Sequence, residues 1–166
     1  APPQNGGAAA PAMTLLTEQL ATTPDHVPAL VQRARLHRRD RELGPALADI
    51  NHALRANKPK KSGIQQSTLY WWKAWIYYDL REFGNEVDAF RQAYELAQKD
   101  DRENLQQIAF DYASSLYRAN DMKGAEAVYR GMLKADESDT GALAGLARVR
   151  IWCGEPREAV EMLTKC

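Results

Sequence analysis

Four stretches of this chain repeat one pattern of small and large residues, and the last two stand 34 residues apart. Ala34, Ala74, Ala113 and Ala147 form one column. Twelve residues on comes a second small-residue column of Ala46, Ala125 and Ala159, with Glu86 as its exception. Ile50, Phe90, Tyr129 and Leu163 follow four residues later, and Ala53, Ala93, Met132 and Cys166 three after those. A column three after the first reads His37, Tyr77, Leu116 and Arg150, so its two ends depart from apolar. The intervals are 40, 39 and 34 residues, and the extra length falls between copies, not inside them. Self-similarity at this period is the signature of stacked repeats, each too small to bury its own apolar face.

Local signals predict helix pairs. Asp139 or Thr140 can cap a helix carrying Leu143, Leu146 and Ala147. Gly154 stops that helix, and Pro156 suits the first turn of its partner, where a missing N–H costs nothing. Gly84 with Asn85, and Asn120 with Asp121, are placed to separate the helices of the second and third copies. Lys58 to Ser62 and Lys99 to Glu103 are the insertions between copies, the second read as a solvated charged connection. No stretch alternates as a strand would, so the chain is expected to be helix and turn throughout.

The columns resemble the tetratricopeptide repeat, in which two antiparallel helices pack through small residues and stack on the next pair. The fourth copy matches best, through Leu143, Leu146, Ala147, Gly154, Ala159 and Leu163. The second follows with Tyr70, Ala74, Tyr77, Leu80, Phe83, Phe90 and Ala93, the third with Tyr112, Ala113, Asn120, Ala125 and Tyr129. The first departs at Arg33 and His37, where apolar residues are usual. The resemblance implies an all-α, right-handed superhelical solenoid of antiparallel helix pairs: one N-terminal helix, then four pairs. Residues 1–12, rich in Ala, Pro and Gly, read as a flexible lead-in, and 13–166 as the repeat domain. Ala12, Leu16, Leu20 and Pro24 continue the phase backwards, so 13–24 reads as a half-repeat or capping helix. The copies then span about 27–60, 67–99, 106–139 and 140–166, the last incomplete. An uncapped final repeat exposes its stacking face, which implies a fragment or a module of a longer protein.

The search for other chemistry is negative. No apolar run approaches the ~18 residues that cross a bilayer. Cys153 and Cys166 fall too far apart on antiparallel helices for a disulfide and read as small buried residues. His26, His37 and His52 lack ligand spacing, so no metal is expected, and no cofactor motif is present. There is no nucleophile elbow, phosphate-cradling loop or His-Glu-x-x-His, so the chain reads as no enzyme. Exported, periplasmic and cytoplasmic locations all stay open.

The resemblance implies a concave surface lined by the first helix of each pair. Carried onto this chain, its lining is Val31, Arg35 and Arg38, then Trp71, Trp75 and Tyr78, then Phe110, Ser114 and Tyr117, then Ala144, Arg148 and Ile151. The i, i+4, i+7 spacing puts each trio on one helix face. Six of the 14 aromatic residues lie between Tyr70 and Tyr78. The plain alternative is that this aromatic stripe is local core, and accessibility of Trp71 and Trp75 separates the two. Arg33, Arg35, Arg38, Arg39 and Arg41 crowd nine positions, and Asp25 to Thr68 carries nine basic against four acidic residues. Arginine beside Trp and Tyr suits an acidic peptide with apolar anchors, although a solvated helix end is an equal reading of the arginines. The expected groove residues are Arg35, Arg38, Trp71, Trp75, Tyr78, Phe110, Tyr117 and Arg148. A lysine- and asparagine-based carboxylate clamp, as in chaperone-docking relatives, is absent: the corresponding stripe carries Val31, Arg35, Trp72, Gln107 and Asp111. The expected function is a non-enzymatic protein–protein interaction module, with a structural or self-associating spacer as the alternative. RNA binding is a minor one, because net charge is zero and the basic patch is confined to one copy.

Overall fold

The computed structural model describes residues 9–164, with side chains for 11–160 and 164. Residues 1–8, the side chain of Leu163 and all of Cys166, which close two of the columns, lie outside the described residues. Ten helices are described and no strand. They fall into two compact units, divided between Glu82 and Phe83.

The first unit holds α1 (Ala9–Thr22), α2 (Val27–Arg39), α3 (Leu43–Ala56), the single turn α4 (Pro59–Ser62) and α5 (Gln66–Leu80). Its core gathers Leu20, Leu30, Ala34, Ala46, Ile50, Ala53, Leu69 and Ile76, with Leu16 packed against it. The half-repeat therefore points Leu16 and Leu20 inward, as its phase implies, though α1 begins at Ala9 and takes in the last residues expected to be lead-in. The second unit holds α6 (Phe83–Asp100), α7 (Leu105–Arg118), α8 (Met122–Ala135), α9 (Thr140–Trp152) and α10 (Pro156–Leu163). Ala109, Ala113, Ala125, Tyr129, Met132, Ala142, Leu146 and Val149 form its core. The alanine columns are buried to 1% exposure or less in every copy, because backbones approach closely only over a small side chain.

Nine helices follow from the repeat count, and the tenth, α4, lies in the first insertion. Asn57 orders that insertion: its amide donates to the Ile64 carbonyl at 3.0 Å and to Gln66 Oε1 at 2.9 Å, while its Oδ1 accepts from Ser62 Oγ at 2.6 Å. The second insertion is shorter than its charge implies, since Lys99 and Asp100 still belong to α6. Asp101 is buried there, not solvated, and its Oδ1 accepts from the Asn104 amide side chain at 2.9 Å.

The turns inside the pairs repeat as faithfully as the columns. Arg41, Arg81, Asn120 and Gly154 all have positive φ, at 66°, 63°, 64° and 82°. They stand 40, 39 and 34 residues apart, in step with the repeats. At each, the next residue's N–H donates to a carbonyl five back: Glu42 to His37, Glu82 to Tyr77, Asp121 to Leu116 and Glu155 to Arg150, all within 2.8–3.0 Å. Together with the N–H of the positive-φ residue bonding three back, this is a Schellman motif. Arg81, not Gly84 and Asn85, thus makes the second turn, and those two residues sit in the first turn of α6. Asp121 and Asp139 cap α8 and α9, accepting from the Gly124 and Ala142 N–H groups at 2.9 and 3.0 Å.

Each departure from an apolar column is a group that pairs with an opposite charge from outside that column. Arg33 grips Asp49 in a bidentate pair, Nε to Oδ2 and Nη2 to Oδ1, both at 2.7 Å. That bond raises the Arg33 pKa further above its ordinary range. His37 meets Glu42 at 2.6 Å. Glu86, only 1% exposed, pairs with Arg118 of α7. Arg150 hydrogen-bonds Glu155, which raises its pKa, and also pairs with Glu126. A carboxylate can enter a small-residue column only where a guanidinium follows it into the interior.

Candidate functional site

In the first unit, α2 and α5 bring arginines and tryptophans together. Arg35 lies over the Trp72 ring at 5.0 Å and Arg38 over Trp75 at 5.5 Å. Arg38 Nε also donates to Asp79 Oδ2 at 2.5 Å, which pins the guanidinium on the tryptophan face. Trp75 meets Tyr78 edge-on at 5.5 Å, and Arg81 lies over Tyr78 at 5.9 Å. Trp71 and Trp72 sit 6.1 Å apart. Each cation–π contact of this sort contributes on the order of 0.5–1 kcal/mol where water reaches it. Its larger effect is to hold long arginines in place ahead of a ligand.

A cleft of about 540 Å³ opens on this face, lined by Arg35, Arg38, Arg39, Arg41, Trp72 and Asp79 among others. Four guanidinium groups thus face one carboxylate, and Asp79 is already held by Arg38 and lies 3.7 Å from Arg41. Arg39 bonds its exposed neighbour Asp40 at 2.8 Å, which lowers the Asp40 pKa. Arg35 is exposed, and its hydrogen bond goes to Gln32 Oε1, at 3.4 Å, not to a carboxylate. On another face of α5, Lys73 lies over Tyr77 at 5.7 Å, and burial pushes the lysine pKa down and the tyrosine pKa up.

Trp71, Trp75 and Tyr78 are half-buried, neither the exposed stripe of a bare groove nor a sealed core. Val31, on the expected lining, is buried at 6% exposure and belongs to the core. α5 meets the arginines of α2 at Trp72, Trp75 and Asp79, and Trp75 alone of these belongs to the expected stripe of Trp71, Trp75 and Tyr78. Trp72, Arg39 and Arg41 were therefore missed by the column reading. Asp79, the single acid of α5, was the available signal, since a lone carboxylate there calls for a nearby arginine.

The remaining expected residues lie in the second unit. Phe110 is half-buried, edge-on to Tyr129 at 6.0 Å, and the α9 backbone passes over it at Gly141. Tyr117 meets Trp152 edge-on at 6.3 Å and carries Arg148 over its ring at 5.6 Å. Ile151 and Trp152 are exposed at 56% and 63%. Trp152 escaped the column reading because it follows the stripe by one position. Beneath them, Tyr129 is fully buried and its hydroxyl meets Ser114 Oγ at 3.1 Å. A Cβ on Gly145 would collide with the Tyr129 ring, so only glycine fits there.

Cys153 is exposed, not buried, because it stands at the C-terminal cap of α9, past the packed face of the helix. No cluster of potential metal ligands is found among the described residues. No described helix is long and apolar enough to cross a membrane.

The sequence model of the tetratricopeptide repeat matches residues 67–100. No match was found among curated proteins. Among solved structures, the chain is similar to YrrB, described as a tetratricopeptide repeat protein with an unusual peptide-binding site. The TM-score is 0.74 at 16% identity, over 95% of this chain and 75% of that one. It is also similar to BtubC (BKLC) from P. vanneervenii, with a TM-score of 0.79 at 16% identity over 98% and 73%. A tetratricopeptide repeat protein from Parabacteroides merdae gives 0.69 at 19% identity over 96% and 58%. At these identities the likeness is one of fold. Residues 67–100 are a tetratricopeptide repeat, and the chain has the fold of the solved tetratricopeptide repeat proteins, a fold of interaction modules.

Proposed function

We propose that the chain is a non-enzymatic interaction module that binds an acidic, extended peptide segment across α2 and α5. The observation that carries this reading is the stacking of Arg35 on Trp72 and of Arg38 on Trp75, beside a cleft with four arginines and one engaged carboxylate. Guanidinium groups fixed over aromatic rings present carboxylate-binding forks at little entropic cost. The half-buried tryptophans supply apolar area that a ligand can finish burying. The peptide-binding site ascribed to YrrB supports the same use of the fold. The test is selection of a displayed library of random twelve-residue peptides on the folded chain. Enrichment in Asp and Glu, reduced with Arg35→Ala at unchanged melting temperature, supports the reading. Trp75→Ala binding normally once folded, but losing several kcal/mol of stability, marks the stripe as core and sinks it.

A second reading, assembly through the end of the repeat array, is favoured by Ile151, Trp152 and Val160, exposed at 56%, 63% and 60%. Concentration-dependent sedimentation that Trp152→Ser abolishes would support it.

A further inference from the structure

A second cavity adjoins the arginine cleft, and its chemistry is opposite. It measures about 360 Å³ and is lined by Ala12, Leu15, Leu16, Gln32 and Leu36. Gln32 and Leu36 also line the arginine cleft, so the two share a wall along α2. Leu16 packs down on the core, whereas Leu15 stands 65% exposed, with nothing over it among the described residues. No charged residue lines this second cavity. The neighbouring cleft carries four guanidinium groups.

Resting on the peptide-binding reading above, we propose that α1 and α2 form an apolar specificity pocket for that ligand. The bound segment carries one large apolar side chain against Leu15 and Leu36, followed by carboxylates on Arg35, Arg39 and Arg41. The spacing follows from geometry. Leu36 lies one residue from Arg35 and three from Arg39 on α2, so at most about 5 Å along the helix at its 1.5 Å rise. An extended peptide advances roughly 3.3 Å per residue, so the carboxylates fall about one or two residues from the apolar anchor. The occupant is chosen by charge complementarity: a basic or purely apolar segment would leave the arginine cleft uncompensated, and a purely acidic one would leave Leu15 in water. Binding selectivity then comes from two subsites of opposite chemistry on one helix.

The peptide library supplies the probe. On the unaltered chain, the enriched twelve-residue peptides should pair a Leu, Ile, Met or Phe with acidic residues about one or two positions away. A synthetic peptide from that pool should bind Leu15→Ser roughly tenfold more weakly, with the melting temperature unchanged because Leu15 is exposed. Replacing the peptide's apolar residue by Ser should cost a similar factor, and the two changes together little more than either alone. Acidic enrichment without a spaced apolar residue, or a paired motif indifferent to Leu15→Ser, overturns the pocket while leaving the basic cleft standing. Loss of acidic enrichment itself overturns the reading on which the pocket rests. Self-association that Leu15→Ser abolishes would put a second copy of the chain in the cavity and overturn the proposal.

Discussion

The two units are built on the same repeat yet spend their charge in opposite ways. Residues up to Glu82 carry eleven Lys and Arg against seven Asp and Glu, a net +4. Residues from Phe83 carry eleven against fifteen, a net −4. In the first unit a cluster of arginines is displayed on tryptophan faces beside an open cleft. In the second, the most buried charge is Glu86, closed off at 1% exposure with Arg118 as its counter-ion, and the exposed patch at Ile151 and Trp152 is apolar. A zero net charge therefore conceals two units of opposite net charge. The scaffold fixes the alanine columns and the turns, and leaves the rest of each helix free to be specialised.

The largest expected effect tests whether the second unit truly hides its charge. Arg118→Ala leaves Glu86 buried without its counter-ion and should cost about 3–5 kcal/mol in urea unfolding. Glu86→Ala should cost clearly less, because it restores the small residue of its column and Arg118 is already one-third exposed. Equal losses would mean that the pair is not buried in the way described.

Packing is the next largest. Gly145→Ala drives a methyl group into the enclosed Tyr129 ring and should cost about 1–3 kcal/mol, read as a lowered melting temperature. No change would show that α8 and α9 can separate freely.

In the first unit the sign should reverse. Arg41 occupies a left-handed position that costs a non-glycine residue roughly 1 kcal/mol, so Arg41→Gly should raise stability by about that amount. The same substitution removes a guanidinium from the cleft, so it should weaken acidic-peptide binding as it stabilises the fold. The smallest effect is kinetic: Arg35→Ala should flatten the salt dependence of peptide association more than it alters dissociation, because Arg35 is exposed.

These effects trace the limit of what the sequence discloses. The alanine columns, the cap at Asp139 and the helix pairs were legible because a single local rule repeats four times. The turn at Arg81 was not, since arginine carries no left-handed preference and only its register with Arg41, Asn120 and Gly154 reveals it. Arg33, His37, Glu86 and Arg150 looked like weak matches because a column is judged one residue at a time. Their partners, Asp49, Glu42, Arg118 and Glu126, lie on other columns. The arginine–tryptophan contacts of the candidate site were half legible for the same reason. Helix spacing picked out Trp75 and Arg38, but whether Trp71 or Trp72 meets Arg35 depends on how α5 is rotated against α2, which is a tertiary fact.

The central claim is that the basic, tryptophan-backed face of the first unit is the binding surface. Amide chemical-shift mapping with a selected acidic peptide tests it most directly, since every residue reports in one titration. Perturbations should concentrate in α2 and α5, at Gln32 to Arg41 and Trp72 to Asp79, and extend to Leu15 of α1. Perturbations confined to α7 and α9, around Tyr117 and Trp152, would contradict it.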